Sequence, residues 1–68
     1  MNKIEKIYDK NGVKLELGDN LFDGYEIRVF DTYFDDLFII GRKSVWRIEN
    51  FYLTCYEDGY CLVDFEKC

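Results

Sequence analysis

The chain has 68 residues, which is enough for one small domain spanning residues 1–68. Apolar residues make up 49% of it and aromatic residues 19%, so the composition excludes an intrinsically disordered chain. The net charge of −5 argues against binding nucleic acid or an anionic membrane through charge alone, and the absence of histidine removes the commonest general base and metal ligand.

The N-terminal residues 1–6 carry charges with no apolar stretch after them, so we expect no secretory leader. No apolar run exceeds four residues, which is too short to span a bilayer. Three cysteines without an export signal are typical of reduced thiols rather than of a disulfide framework. Together these features predict a cytoplasmic protein with no membrane partner.

Short alternating runs separated by turn dipeptides predict an all-β fold. The turns lie at Asn11-Gly12, Gly18-Asp19, Asp23-Gly24, Glu49-Asn50 and Asp58-Gly59. Strands at this regular spacing are typical of a small antiparallel meander or an SH3-like barrel.

The first strands form a predicted hairpin. A three-residue loop over 10–12 pairs Ile7 with Leu15 and Asp9 with Val13. This register places the two large aliphatic side chains on one face.

The middle of the chain contains a strand and an ambiguous segment. The strand over 25–30 offers Tyr25, Ile27 and Val29 to cover the sheet. Residues 31–38 fit an extended connection or one short helical turn capped by Asp31, and both alternatives stay open.

The C-terminal half predicts four strands, at 37–40, 44–48, 51–56 and 60–65. Loops over 41–43, 49–50 and 57–59 give a register in which all four strands share one apolar inward face. That face consists of Phe38, Ile40, Trp46, Ile48, Phe51, Leu53, Cys55, Cys61, Val63 and Phe65. In this register Cys55 lies directly opposite Cys61, and we expect both to be core thiols.

The residue types that carry catalysis do not converge in this sequence. The cysteine spacing lacks a zinc knuckle, and the adjacent pairs Asp35-Asp36 and Glu57-Asp58 would point to opposite faces of a strand. The five glycines are scattered singly, without a phosphate-binding loop. We therefore predict a protein that is not an enzyme and holds no metal or cofactor.

The reverse face of the C-terminal strands is rich in tyrosine and is the first candidate site. It comprises Ile39, Val45, Arg47, Tyr52, Thr54, Tyr56, Tyr60 and Leu62. Either the N-terminal hairpin folds over this face, or the tyrosines form a contact surface for a partner, which could also be a second copy in a homodimer.

An acidic stretch runs beside this face. Residues 16–36 carry seven acids and one base, a net charge of −6. An acidic, aromatic surface suits a basic partner protein, such as the positively charged channel of a nucleic-acid enzyme. The predicted partner-binding residues are Asp31, Asp35, Asp36, Tyr52, Tyr56 and Tyr60.

A small basic patch supports an alternative function. Arg42, Lys43 and Arg47 lie around one predicted turn. In this alternative, the chain is a small SH3-like nucleic-acid-binding or accessory module, and these three residues form its binding surface. We expect nucleic acid to be the weaker alternative, because the chain as a whole is acidic.

The run Asp9-Lys-Asn-Gly-Val-Lys-Leu-Glu-Leu-Gly-Asp19 resembles the opening of small SH3-like barrel proteins encoded by phages and other mobile elements. The resemblance covers 11 of the 68 residues and consists mainly of turn residues. Small acidic proteins of such elements, including anti-CRISPR and anti-restriction inhibitors, often occupy a host protein's nucleic-acid surface. By that analogy, the resemblance implies a non-catalytic inhibitor of a host defence or nucleic-acid-handling protein, acting in the host cytoplasm if a phage encodes it.

Overall fold

The structure is a computed structural model that describes residues 6–68. The expectation about a secretory leader concerns a segment that begins outside the described residues. The strands are β1 (Ile7–Tyr8), β2 (Asp19–Phe22), β3 (Ile27–Tyr33), β4 (Asp36–Ile40), β5 (Val45–Arg47), β6 (Leu53–Tyr56), β7 (Gly59–Leu62) and β8 (Glu66–Lys67), with one 3₁₀ helix at Ile48–Asn50. The predicted all-β class is confirmed.

The strands form two sheets. The large sheet has the order β5-β4-β3-β2-β8 and is antiparallel throughout; the small sheet has the order β1-β7-β6, with β1 and β7 parallel. The described strands do not close into a barrel, so of the two predicted architectures the chain forms the open, mainly antiparallel one. Within residues 6–68, no helix has the length and hydropathy that a bilayer span requires.

The hydrophobic core contains residues from both sheets and from the connections between them. Its buried members are Ile7, Leu15, Leu21, Phe30, Ile39, Ile48, Leu62 and Phe65. Burial of such side chains contributes about 1.5–3 kcal/mol each, which makes this cluster the main stabilising feature of a small chain.

The N-terminal hairpin has the predicted register. The Leu15 amide donates to the Ile7 carbonyl at 2.9 Å, and the Asp9 amide donates to the Val13 carbonyl at 2.9 Å. Ile7 and Leu15 are both buried, whereas Val13 is exposed. These bonds confirm the predicted register. The local sequence was sufficient for this prediction because a short loop fixes the register of a hairpin.

Residues 31–38 form a β-hairpin rather than a helical turn. Strands β3 and β4 pair Tyr33 with Asp36, and the two residues between them, Phe34 and Asp35, have φ angles of 52° and 64°. Positive φ at both positions is the pattern of the tight turn that matches strand twist. The expected role of Tyr25, Ile27 and Val29 in covering the sheet is wrong, because β3 buries Phe30 from its opposite face.

The predicted register of the C-terminal hairpin is wrong by one residue. The loop is Glu57-Asp58, which pairs Tyr56 with Gly59 and Cys55 with Tyr60, so the two predicted core thiols are not opposite each other. Gly59 does not have a positive φ; a Cβ there would lie 2.1 Å from the Lys6 carbonyl oxygen. The glycine is required for the close parallel approach of β1, and not for the turn.

The remaining two predicted loops also differ from the structure. The Glu49-Asn50 turn is part of the 3₁₀ helix, which leads the chain from the large sheet to the small one. The predicted loop over 41–43 would pair Trp46 with Phe38, but strand β5 pairs Trp46 with Ile39, and Trp46 is 52% exposed. The prediction that Trp46 lies in the core is therefore wrong, and so is the single four-stranded face on which it depended.

Candidate functional site

The large sheet has an apolar face directed away from the core, which we call the outer face. Alternation along the strands places on it the apolar side chains of Phe22, Ile27, Val29, Tyr33, Phe38, Ile40 and Val45. Asp31, Asp36 and Arg47 lie at one end of this face, and Asn20 and Glu66 lie on it along β2 and β8. Phe22 is 39% exposed, Ile27 49% and Val45 47%. The solvated face of an antiparallel sheet usually carries polar side chains. Contiguous exposed apolar side chains on such a face are typical of an interaction surface.

The register of three strands makes the centre of the outer face continuous. Val29 pairs with Ile40, and Ile40 pairs with Val45, so three branched apolar side chains form one row across the sheet. Phe22 pairs with Ile27 in a neighbouring row. Side chains in directly paired positions lie within contact distance, and they therefore form one patch.

An aromatic cluster lies at the same end of the outer face as Asp31, Asp36 and Arg47. The ring centroid of Tyr33 is 4.5 Å from that of Phe34 and 5.4 Å from that of Phe38, both in edge-to-face arrangements. The Arg47 guanidinium lies 5.6 Å from the centre of the Phe38 ring. Tyr33 and Arg47 cover Phe38, whereas Phe34 at the tip of the turn is 83% exposed.

The three predicted acids Asp31, Asp35 and Asp36 come together at this aromatic end, because the β3–β4 hairpin brings them there. Asp31 shares a row with Phe38 and Arg47, and Asp35 lies in the turn. Asp36 forms an ion pair with Arg47 at 2.7 Å. Asp31 and Asp35 therefore supply most of the unpaired negative charge of this end.

The three predicted tyrosines do not join this surface. Tyr56 and Tyr60 belong to the small sheet and lie on opposite faces of it, because the register pairs Tyr60 with Cys55 and Tyr56 with Gly59. Tyr52 precedes β6 and is 78% exposed. The structure thus separates the six predicted partner-binding residues into an acidic group on the large sheet and a divided tyrosine group elsewhere.

The N-terminal hairpin packs on part of the predicted tyrosine face. The Tyr8 and Tyr56 ring centroids are 4.8 Å apart, and a Cβ at Gly12 would lie 2.5 Å from the Tyr56 hydroxyl oxygen. The Tyr8 hydroxyl donates to Asp58 at 3.0 Å, and Lys6 also bonds that carboxylate. The bond to Asp58 raises the pKa of Tyr8, and the bonds from Lys6 and Tyr8 lower the pKa of Asp58. Together these bonds hold the β6–β7 turn against β1.

The predicted basic patch is divided as well. Arg42 and Lys43 are exposed in the turn between β4 and β5, whereas the Arg47 side chain bonds Asp36 and lies over Phe38. The nucleic-acid alternative stays a prediction.

The three cysteines are free thiols, and Cys61 alone is buried. Burial raises the pKa of Cys61, the nearby Asp9 carboxylate raises it further, and the thiol donates to the Asp9 carbonyl oxygen at 2.9 Å. A thiol with a raised pKa is a poor nucleophile. Among residues 6–68, no group of three or more cysteine or acidic side chains is arranged to hold a metal ion.

Sequence analysis missed the apolar residues of the outer face, although one pattern could have indicated them. Residues 37–40 are apolar without interruption, which is typical of a strand with apolar groups on both faces. The adjacent residues Val29 and Phe30 repeat this pattern in β3. Two neighbouring strands that are apolar on both faces indicate either a second buried layer or an exposed binding face.

Comparison of the chain with protein-family models, with curated proteins and with solved structures found no match.

Proposed function

We propose that this chain is a non-catalytic protein-binding protein whose outer face docks on a basic surface of a partner. The observation that carries the proposal is the apolar patch of the outer face, in which Phe22, Ile27 and Val45 are exposed and Val29 and Ile40 are half-buried. This patch ends in the acidic and aromatic tip of the β3–β4 hairpin. Interfaces combine an apolar centre with a polar rim in this way.

The charge of the chain supports a basic partner. The net charge is −5, and Asp31 and Asp35 lie at the edge of the apolar row. Complementary charge accelerates association and disfavours acidic partners, including a second copy of this chain. Tyr33 and Phe34 at the same tip supply rigid contact area with little loss of side-chain entropy.

We extend the proposal to the consequence of binding. A basic surface on a host protein is commonly the surface that holds nucleic acid, and an acidic protein covering it would compete with nucleic acid. The proposed activity is therefore inhibition of a host defence or nucleic-acid-handling protein. The resemblance of residues 9–19 to phage and mobile-element proteins is the support for that biological setting.

A matched pair of variants tests the docking face. Val45 and Val63 are exposed to a similar extent, 47% and 43%, but only Val45 lies on the outer face. Tagged wild type, Val45→Lys and Val63→Lys are used to capture proteins from a host lysate, and the captured proteins are quantified by mass spectrometry. We expect one basic protein to bind wild type and Val63→Lys, and to bind Val45→Lys about 10-fold less, which corresponds to about 1.4 kcal/mol.

Equal capture by the three proteins would contradict the docking face, and so would equal loss with both variants. The charge argument has its own pair: Asp31→Lys should slow association with the purified partner, and Asp64→Lys, an exposed aspartate outside the outer face, should change it much less. Inhibition is then measured as the ability of the chain to displace a labelled oligonucleotide from that partner. A partner that binds the chain and the oligonucleotide together would refute the inhibitory mechanism.

A further inference from the structure

The described part of the chain has four strands at sheet edges, namely β1, β5, β6 and β8. The edge of β1 is covered by the chain that follows it, because the Leu15 amide donates to the Ile7 carbonyl. The edge of β8 is covered in part by Asp9, whose carboxylate accepts from the Lys67 amide at 2.9 Å. Strand β5 has three residues and carries the charge of Arg47. Covers, charges and short strands are the usual means of protecting a sheet edge, and β6 has neither a cover nor a charge.

The free edge of β6 has open backbone groups. The Val63 amide donates to the Tyr52 carbonyl at 3.3 Å, so these two residues are a hydrogen-bonded pair beside the β6–β7 ladder. Hydrogen-bonded pairs alternate along an antiparallel ladder, so the backbone groups of Thr54 also point to β7, and those of Leu53 and Cys55 point away from it. Within residues 6–68, no backbone bond to another segment uses these outward groups. They are therefore available to a further strand.

The free edge of β6 is complementary to itself. When two copies are placed antiparallel with their Thr54 residues opposite each other, Leu53 of each copy lies opposite Cys55 of the other. Both residues of such a pair have outward backbone groups, so each pair can exchange two backbone hydrogen bonds. This register uses all the outward groups of Leu53 and Cys55 in both copies.

The side chains also match in this register. Alternation places Tyr52, Thr54 and Tyr56 on one face of the strand, and the register puts Tyr52 of each copy opposite Tyr56 of the other. Tyr52 is 78% exposed and Tyr56 is 37% exposed, so both have surface to bury. Aromatic pairs and threonine pairs in directly opposite positions stabilise a sheet.

The charge distribution permits this contact although the chain as a whole is acidic. Residues 50–56 carry no charged side chain, and the next residue, Glu57, would lie opposite Phe51 of the second copy. The acids Asp31 and Asp35 belong to the β3–β4 hairpin of the large sheet. Charges farther from the contact than about 8 Å are largely screened at physiological ionic strength. Like-charge repulsion therefore disfavours a second copy at the outer face but much less at the free edge of β6.

We propose that two copies of this chain pair antiparallel through their β6 strands, which joins the two small sheets into one continuous sheet. The contact involves one short strand from each copy, so it is smaller than a permanent dimer interface, and we expect a Kd of about 20–200 µM. Both outer faces stay open, because they belong to the large sheets. The inference is independent of the proposed docking function and is tested without the docking partner.

Sedimentation equilibrium of the full chain between about 10 µM and about 1 mM measures the association. A reducing agent is present throughout, so that the exposed Cys55 and Cys68 cannot form a disulfide between copies. Thr54→Lys places two like charges directly opposite each other and should weaken the dimer at least about 10-fold. Thr32→Lys adds the same charge at an exposed position of the large sheet and should leave the dimer unchanged. Circular dichroism first confirms that each variant is folded.

Hydrogen exchange in the wild-type protein locates the contact without any substitution. The Leu53 and Cys55 amides should exchange at least about 2-fold more slowly at about 1 mM than at about 20 µM, because the dimer protects them. The Val45 amide is the internal control: the Gly41 amide bonds the Ser44 carbonyl, so by the same alternation Val45 points outward at the edge of β5, and its exchange should not slow.

Three results would overturn the proposal. The first is a protein that stays monomeric at about 1 mM. The second is a dimer in which the Leu53 and Cys55 amides exchange no more slowly than in the monomer. The third is a dimer that Val45→Lys weakens and Thr54→Lys does not, which would assign self-association to the outer face.

Discussion

Replacing Asp9 should cost more stability than replacing any other aspartate, because its buried carboxylate holds three backbone amides. Asp9 Oδ1 accepts from the Asn11 and Val13 amides, both at 2.8 Å, and Oδ2 accepts from the Lys67 amide at 2.9 Å. The side chain is 1% exposed. It thus fixes the turn of the N-terminal hairpin and ties that turn to β8.

The magnitude follows from these three bonds. A hydrogen bond to a charged group contributes about 1.5–3 kcal/mol, and a buried amide left without an acceptor costs about 1–3 kcal/mol. Because the turn can admit some water, we expect Asp9→Ala to lower the free energy of unfolding by about 3–5 kcal/mol. The free energy of unfolding of a domain of this size is about 3–10 kcal/mol in total. The expected loss is therefore a large fraction of it, and a substantial part of the Asp9→Ala protein should be unfolded.

Asp9→Asn gives the more informative comparison. The asparagine keeps an oxygen for the Asn11 and Val13 amides but presents an NH₂ group to the Lys67 amide, so one bond is replaced by two opposed donors. We expect a loss of about 1–3 kcal/mol, measured by urea unfolding followed through circular dichroism. Asp64→Asn, at an exposed position with no hydrogen bond within the described chain, should change stability by less than about 0.5 kcal/mol.

The pH dependence checks the same reasoning. Burial raises the pKa of Asp9, but the three amide donors lower it more, and the pKa lies below its ordinary value. A carboxyl group whose pKa is lower in the folded state stabilises the fold above its unfolded pKa of about 3.9, and this contribution is lost as the pH falls through the folded value. Between about pH 5 and pH 2, wild type should therefore lose stability more steeply than Asp9→Asn. Identical slopes, or an Asp9→Ala protein as stable as wild type, would refute the assigned role.

Three further predictions concern the small sheet and the β3–β4 turn. Gly59→Ala should lower stability by about 2–3 kcal/mol in thermal unfolding, because its Cβ would meet the Lys6 carbonyl, and unchanged stability would show that β1 can move away. Aromatic disulfide reagents should label two thiols in the native protein and all three only in urea, with Cys61 as the protected one; rapid labelling of all three would contradict its burial. Phe34→Asn should raise stability by about 0.5–1 kcal/mol, since asparagine tolerates positive φ better, and should weaken partner binding; a loss of stability with binding intact would contradict the role of that ring.

Local features of the fold could be predicted from the sequence, and long-range ones could not. The N-terminal hairpin followed from a three-residue loop and two aliphatic residues at matching distances, and Ile7 and Leu15 are buried as expected. The predicted register of the C-terminal hairpin was wrong because a glycine at position 59 has two possible explanations. A turn requires positive φ, whereas the actual requirement is space for the backbone of Lys6, which is distant in sequence.

The error in register had consequences for the candidate site, because a shift by one residue moves every side chain to the opposite face. The prediction placed Tyr56 and Tyr60 together, but the actual register divides them between two faces. The predicted grouping of the three acids agrees with the structure. Asp31, Asp35 and Asp36 are close in sequence, so any tight hairpin brings them to one end of the sheet. The core position predicted for Trp46 required β5 and β6 to pair in one sheet. The two strands belong to different sheets, which no local pattern indicated.

The outer face and the β3–β4 turn share a property that folding alone does not explain. A small domain buries a limited fraction of its surface, yet this chain leaves Ile27 and Val45 half exposed when polar residues would serve a solvated sheet equally well. At the turn, Phe34 adopts a positive φ that asparagine or glycine would adopt at lower cost, and it is 83% exposed. Each choice works against stability or solubility, and all of them lie on one continuous surface. A binding partner that covers this surface would recover the apolar contact that the fold leaves unused, which is the physical basis of the proposed function.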